Sequence, residues 1–335
     1  MSEHRATIDI VVPCYNEGQC LPELFTSLRE VVQKCNECSF HLILIDDGSI
    51  DETLSVASRE LSNSVSFFSG MIVEFSRNFG KEAALLAGLR QSSHDACIII
   101  DADLQDPPDL IPRMILIWRE GAQIVNAVRS ERTTDSFAKR FTAESFYKIF
   151  LALSKLKVQF NSSDYRLLDR VVIDAILSCH ERVRFSKGFF AWAGFHQDNI
   201  YYDRIERAAG SGKWGSWRLW NYALDGIFSF STAPLRIWTY VGIAFTALAF
   251  AIGLSSIVRT IIYGVNVPGY ASIISAVTFL GGLQLVGIGI LGEYLGRTYI
   301  ETKRRPNYVI KKSSMFGGAM PGTVASEERI GQGYT

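Results

Sequence analysis

Ala96-Cys97-Ile98-Ile99-Ile100-Asp101-Ala102-Asp103 is the stretch that decides the fold: an apolar run too short for a helix, ending in two carboxylates at alternating positions. Such a run suits a strand buried on both faces. Three more precede it. Ile8–Val12 is β-branched and ends at Pro13, His41–Ile45 ends in the acidic turn Asp46-Asp47-Gly48-Ser49, and Met71–Phe75 follows. Between the first two, Leu21, Leu24, Phe25, Leu28, Val31 and Val32 recur at helical spacing over Leu21–Lys34. Asp51 is placed to cap the helix after the second strand. Buried strands separated by helices predict an α/β fold with a doubly wound, mostly parallel sheet. Ligands of such a sheet bind beyond the carboxyl ends of its strands. Tyr15-Asn16-Glu17, Asp46-Asp47 and Asp101-Ala102-Asp103 all fall there, so three acidic strand ends are expected to converge on one crevice.

The chain has 335 residues, and 34 Lys and Arg balance 34 Asp and Glu. That balance argues against a general nucleic-acid binder. The charge is unevenly spread. No charged residue occurs from Ile237 to Val258 or from Val267 to Gly292. Each stretch exceeds the roughly 20 residues that a membrane-crossing helix needs. A buried helix pair is the alternative, but two adjacent spans favour a membrane hairpin. Arg259 is the only charge in the connection, whereas Arg218 and Arg236 precede the hairpin and Arg297, Lys303, Arg304, Arg305, Lys311 and Lys312 follow it. Positive flanks put both termini in the cytoplasm, and the N-terminus does not read as a signal peptide.

Between the soluble part and the hairpin, Gly212–Ser231 has Trp217, Trp220, Leu224 and Ile227 at helical spacing. Tryptophan favours the headgroup level, so this segment reads as an interfacial helix. An amphipathic helix packed on the soluble domain is the alternative. The expected organisation is a catalytic domain over 1–210, an interfacial region over 211–234, two transmembrane helices over 235–298 and a cytoplasmic tail over 299–335. The tail is expected to be disordered from Ser313 onward. Six cysteines would lie in a reducing compartment, and the lone Cys35-x-x-Cys38 lacks the partners of a zinc site. Tyr270, Gly281, Gly282, Gly287 and Gly289 suggest close helix packing and homo-oligomers.

Asp101 and Asp103, with Gln105 as a neutral oxygen donor, suit a hard divalent cation, Mg2+ or Mn2+, that takes phosphate oxygens as further ligands. A D-x-D pair alone is more often a solvated turn. Its place after a buried strand and before Leu104-Gln105-Asp106-Pro107-Pro108 raises it above that.

Val12-Pro13-Cys14-Tyr15-Asn16-Glu17, Asp46-Asp47-Gly48-Ser49, Arg77-Asn78-Phe79-Gly80-Lys81 and Asp101 to Pro108 resemble the inverting family 2 glycosyltransferases of GT-A-like fold. Within them the chain is similar to the polyprenyl-phosphate transferases, the group of dolichol-phosphate mannose synthase, and most of all to bactoprenol glucosyltransferases. The likeness runs from about Ile8 to Ile310 and takes in Leu291-Gly292-Glu293-Tyr294-Leu295-Gly296-Arg297 and Arg305-Pro306-Asn307-Tyr308. It implies a bacterial inner-membrane enzyme that moves a sugar, glucose from UDP-glucose above others, to undecaprenyl phosphate with inversion. Other donors, such as GDP-mannose, UDP-N-acetylglucosamine or a UDP-amino sugar, remain open. A processive polysaccharide synthase is disfavoured, since two spans offer little channel.

The resemblance further implies that Pro13, Tyr15, Glu17, Asp46, Asp101, Ala102 and Asp103 line the nucleotide sugar. Asp101, Asp103 and Gln105 would hold the metal. Arg129, Arg207 and Lys213, with Arg132 and Arg140, would surround the acceptor or donor phosphates. Asp103, Asp164, Arg129 and Lys213 form the catalytic set, with Asp164 orienting the sugar or a basic ligand. Two departures stand out: Ser163 replaces a glycine before Asp164, in an expected loop, and Gly212 replaces a hydroxyl residue before Lys213. Glu293 and Arg297, one turn apart, read as a pair closing a helix end.

Overall fold

The computed structural model describes residues 5–130, 162–182, 184, 186–203, 233–263 and 269–317. Its first half alternates strand and helix: β1 (Ala6–Cys14), α1 (Leu21–Lys34), β2 (Cys38–Asp46), α2 (Thr53–Asn63), β3 (Ser69–Phe75), α3 (Lys81–Gln91) and β4 (Ala96–Ile99). After a 3-10 turn come α4 (Ile111–Arg119), β5 (Ile124–Arg129), β6 (Ser162–Asp169), α5 (Arg170–Leu177), α6 (Ser186–Trp192) and β7 (Gln197–Tyr202). Two long helices, α7 (Ala233–Tyr263) and α8 (Tyr270–Thr302), and a final strand, β8 (Ile310–Phe316), complete the order.

The strands form one sheet in the order β7-β5-β6-β4-β1-β2-β3-β8. β1, β2, β3 and β4 pair parallel, while β6 lies antiparallel between β4 and β5. The doubly wound, mostly parallel sheet expected from the apolar runs is therefore present. Apolar side chains on both faces bury it: Ile8, Ile10 and Val12 with Leu24, Phe25 and Leu28 of α1 on one side, Val11, Ile43 and Ile99 with Ala84 and Leu85 of α3 on the other. β1 does not stop at Pro13, which pairs with Ile45. β4 leaves β1 at Val11, so Pro13 lies where no neighbour on that side needs its missing N–H.

Gly88 marks the closest approach of α3 to the sheet. A Cβ added there would lie 2.2 Å from Val11 Cγ1. Gly88→Ala is expected to lower stability by about 1–3 kcal/mol, read as a lower denaturation midpoint of the purified protein.

Far from the crevice, a polar row crosses the central strands. Asp9 is fully buried in β1 and accepts from Ser92 Oγ (2.8 Å), Ser93 N (3.0 Å) and His94 N (3.1 Å), with His94 Nδ1 at 2.8 Å from its other oxygen. This one carboxylate thus closes the turn between α3 and β4.

The helix pair packs antiparallel: Phe245 of α7 meets Phe279 of α8 at 5.6 Å between ring centroids, and Trp238 lies against Gly287. Gly287 is therefore used within the hairpin, while a Cβ at Gly281, Gly282 or Gly289 would meet open space. Ile243, Phe250, Ile261, Leu285 and Ile288 are exposed, an outward apolar surface that lipid would satisfy. Phe279–Thr302 is long and apolar enough to cross a membrane by length and composition. Arg297 pairs with Glu293 at 2.8 Å as expected, but as an i,i+4 contact inside the helix, which runs on to Thr302 and so is not closed by the pair.

The chain then returns to the sheet. β8 pairs antiparallel with β3 and forms the edge of the sheet, Lys311 reaches Glu74 at 2.5 Å, and Tyr308 stacks on Phe75 at 4.9 Å. Ser313–Phe316, expected to be disordered as part of the tail, is thus ordered by backbone pairing with β3. Tyr308→Ala removes the stacked ring and is expected to speed amide exchange at Ser76, whose N–H bonds Val309 O, and along β8, measured by hydrogen–deuterium exchange.

Candidate active site

The carboxyl ends of β1, β2 and β4 bring the expected acidic residues to one edge of the sheet. After β1, Tyr15 is exposed and Asn16 adopts a positive φ of 56°, which turns the chain back. Asn16 N bonds Ser49 Oγ and Asn16 Oδ1 accepts from Ile50 N, both at 2.9 Å, so the first two loops are laced together. Glu17 N donates to Thr53 Oγ1 (2.8 Å). Asp51 accepts from Thr53 N at 3.0 Å, one residue ahead of the cap position that Glu52 holds.

Asp46 and Asp47 divide their work. Asp46 ends β2, buried, and accepts weakly from Ser49 N (3.3 Å); burial pushes its pKa up against that hydrogen bond. Asp47 grips the next loop: its two oxygens accept from Phe79 N (2.7 Å) and Gly80 N (2.9 Å). Gly48 permits this contact, having φ of 70° and standing where a Cβ would lie 2.5 Å from the carbonyl carbon of Arg77. Sequence reading gave Asp47 no part of its own, although its place in the Asp46-Asp47-Gly48 turn was the available signal.

The loop so held delivers Lys81 to the centre of the crevice. Its Nζ lies 2.8 Å from Asp101 Oδ2 and 2.6 Å from Asp164 Oδ2. Burial would pull the lysine pKa down, but the two carboxylates outweigh it and hold it above its ordinary value. In sequence Lys81 is the last residue of Arg77-Asn78-Phe79-Gly80-Lys81, with nothing to set it apart as a site residue. Only the fold brings it to both acids.

Beyond Asp101, Ala102 is buried and Leu104 takes φ of 57°, a turn closed by Gln105 N donating to Asp103 Oδ1 (3.2 Å). Gln105 and Asp106 are buried. Asp106 accepts from the Tyr202 hydroxyl and lies 3.7 Å from Arg129 Nη2, while Arg129 Nε meets Tyr202 Oη at 3.5 Å. Arg129 is thus held at the end of β5 beside the acidic turn. Ser163 is part of β6 rather than a loop, because Val128 pairs with Ser162 and extends the ladder. Its hydroxyl accepts from Tyr165 N (3.1 Å). Arg132, Arg140, Arg207 and Lys213, and the expected interfacial helix, lie outside the described residues.

Among the described residues, no three Asp, Glu, His or Cys side chains cluster so as to hold an ion by themselves. The donor set still fits a hard cation: Asp101, Asp103 and Gln105 offer only oxygens at one strand end, and a divalent ion that completes its shell from a diphosphate needs just one or two carboxylates. The six cysteines are free, and burial pushes the thiols of Cys14, Cys35, Cys38 and Cys97 up, that of Cys20 to about 11. Such thiols are poor nucleophiles at neutral pH.

A crevice of this kind, acidic strand ends on a doubly wound sheet, agrees with the profile of glycosyl transferase family 2, which matches residues 9–177. The chain belongs to that family. The profile of the GtrB C-terminal hairpin matches residues 233–298, which contain most of α7 and α8. A prophage bactoprenol glucosyl transferase homolog of Escherichia coli (strain K12) is 46% identical over 307 residues, covering 91% of this chain and 98% of its own. The bactoprenol glucosyl transferase of Shigella phage SfII is 46% identical over 308 residues, with the same coverage of both chains. Among solved structures, a mannosyltransferase of Pyrobaculum calidifontis in complex with GDP-Man and Mn2+ matches with a TM-score of 0.49 and 16% identity, covering 90% of this chain and 88% of that one. As a family 2 member, the chain is a glycosyltransferase with a GT-A fold.

Proposed function

We propose that this glycosyltransferase transfers glucose from UDP-glucose to undecaprenyl phosphate, with inversion at the anomeric carbon. The observation that carries the reading is the joining of two features in one chain: the acidic crevice of β1, β2 and β4, and a helix pair that lies within the part aligned to bactoprenol glucosyl transferases. The proposed arrangement keeps the order given above, with β8 of the tail joining the catalytic sheet and the helix pair running over 233–302, both helices in the inner membrane and both termini cytoplasmic. Homo-oligomers are part of the proposal, with Gly281, Gly282 and Gly289 open to a second copy.

Pro13, Tyr15, Glu17 and Asp46 line the nucleoside in this reading, with Asp101, Ala102 and Asp103 toward the diphosphate. Asp101, Asp103 and Gln105 would hold a divalent cation, Mg2+ or Mn2+, which would supply charge neutralisation for the departing diphosphate. The acceptor is already anionic, so no strong base is required. A phosphate oxygen forms the bond to the anomeric carbon as the bond to UDP breaks, and the electron pair leaves with UDP. The task left to the protein is to place two repelling anions in line. Arg129, held by Asp106 and Tyr202, is fixed for such a role, with Arg132, Arg140, Arg207 and Lys213 as the further basic groups.

The donor is tested by presenting UDP-glucose, GDP-mannose and UDP-N-acetylglucosamine separately, each with a labelled sugar, to the purified protein and undecaprenyl phosphate. Label entering the lipid from UDP-glucose alone is expected. Label from another donor alone replaces glucose in the proposal.

A further inference from the structure

The pairing of Lys81 with two acids is built with more support than a surface ion pair receives. Asp101 follows β4 and Asp164 lies in β6, the antiparallel neighbour of β4, so the two carboxylates come from distant parts of the chain onto adjoining strands. Lys81 Nζ meets both, at 2.8 and 2.6 Å, and its side chain keeps 36% of its surface exposed toward solvent. The residues on either side are anchored. Asp47 holds the N–H groups of Phe79 and Gly80, and the carboxylate of Glu82 accepts from Ser186 N (3.3 Å) and from its hydroxyl. The backbone that carries the lysine is thus fixed beside both acids.

We propose that Lys81 is a positioning residue for sugar transfer, its ammonium joining Asp101 to Asp164 and so setting where Asp164 stands beside the donor. This rests on the functional reading above. Without the ammonium, two partly buried carboxylates face each other, and Asp164 loses the contact that fixes its position relative to Asp101. The loss falls on the chemical step, because geometry at the reacting centre is what Lys81 maintains. A misplacement of about 1 Å can cost on the order of 100-fold in rate.

The test uses the full chain in lipid nanodiscs with UDP-glucose and undecaprenyl phosphate. Wild type, Lys81→Met, Asp164→Asn and the double variant are compared for kcat and KM, for UDP binding by calorimetry and for thermal midpoint; Lys81→Gln replaces Lys81→Met if the latter does not fold. Lys81→Met is expected to lose about 100-fold in kcat with a much smaller change in KM and retained UDP binding. The double variant is expected to be no slower than Asp164→Asn alone, the sign of two residues acting as a unit. Near-wild-type activity of the Lys81 variant overturns the proposal, as do losses that multiply independently in the double variant. A wild type that binds UDP yet moves no label from any donor overturns the functional reading itself, and the role of Lys81 with it.

Discussion

Asp103→Ala is expected to lower sugar transfer by about 10³-fold while the protein remains folded in the membrane. Asp103 stands on the turn after β4, only partly buried, and accepts from Gln105 N within that same turn. Its removal costs the fold little and the leaving group much. In the proposed reaction one further negative charge develops on the departing UDP, and Asp103 would supply a donor oxygen for the cation that would offset it. The check is the transfer rate of the variant with Mn2+ and with a chelator, beside the wild type. Wild-type transfer is expected to collapse in chelator, whereas the variant is low in both. A variant that keeps full activity in chelator contradicts the metal's role.

The largest effect on stability is expected from Asp9→Ala, a loss of about 3–5 kcal/mol. Asp9 is wholly buried and is the common acceptor for Ser92 Oγ, Ser93 N, His94 N and the His94 ring. Alanine leaves those donors without their acceptor, each at a cost of roughly 1–3 kcal/mol where buried. The deficit should also depend on pH. The hydrogen bond to Asp9 raises the His94 pKa, so the pair's contribution is complete below the unfolded value of about 6.5 and fades as pH rises through the folded value. Denaturation of wild type and variant at about pH 6 and pH 8 is expected to show the wider gap at the lower pH. Equal stability of the two proteins contradicts this account of the turn.

Much of the fold was legible because β1, β2, β3 and β4 are buried on both faces and therefore read as unbroken apolar runs. Their acidic ends followed from the same pattern, and Asp101 and Asp103 needed no contact map to be noticed. β8 was not legible. Its sequence, Ile310-Lys311-Lys312-Ser313-Ser314-Met315-Phe316, has a polar centre and is mostly exposed, and its order comes from pairing with β3 across more than two hundred residues of chain. Lys81 illustrates the same limit in the site. Its neighbours Asp101 and Asp164 are 20 and 83 positions away, and spacing alone carries no trace of that meeting. The role of Asp47 is not legible either, since a strand-end carboxylate that binds backbone looks in sequence like one that binds ligand.

The central claim is that the acceptor is a lipid already carrying the nucleophilic phosphate. The most direct measurement is transfer of labelled glucose from UDP-glucose by the purified full chain in liposomes containing undecaprenyl phosphate, undecaprenol or neither. The account predicts label in the organic phase with undecaprenyl phosphate alone, released as glucose by mild acid. Equal labelling of undecaprenol, or label that goes only to water or to a growing polysaccharide, would contradict it.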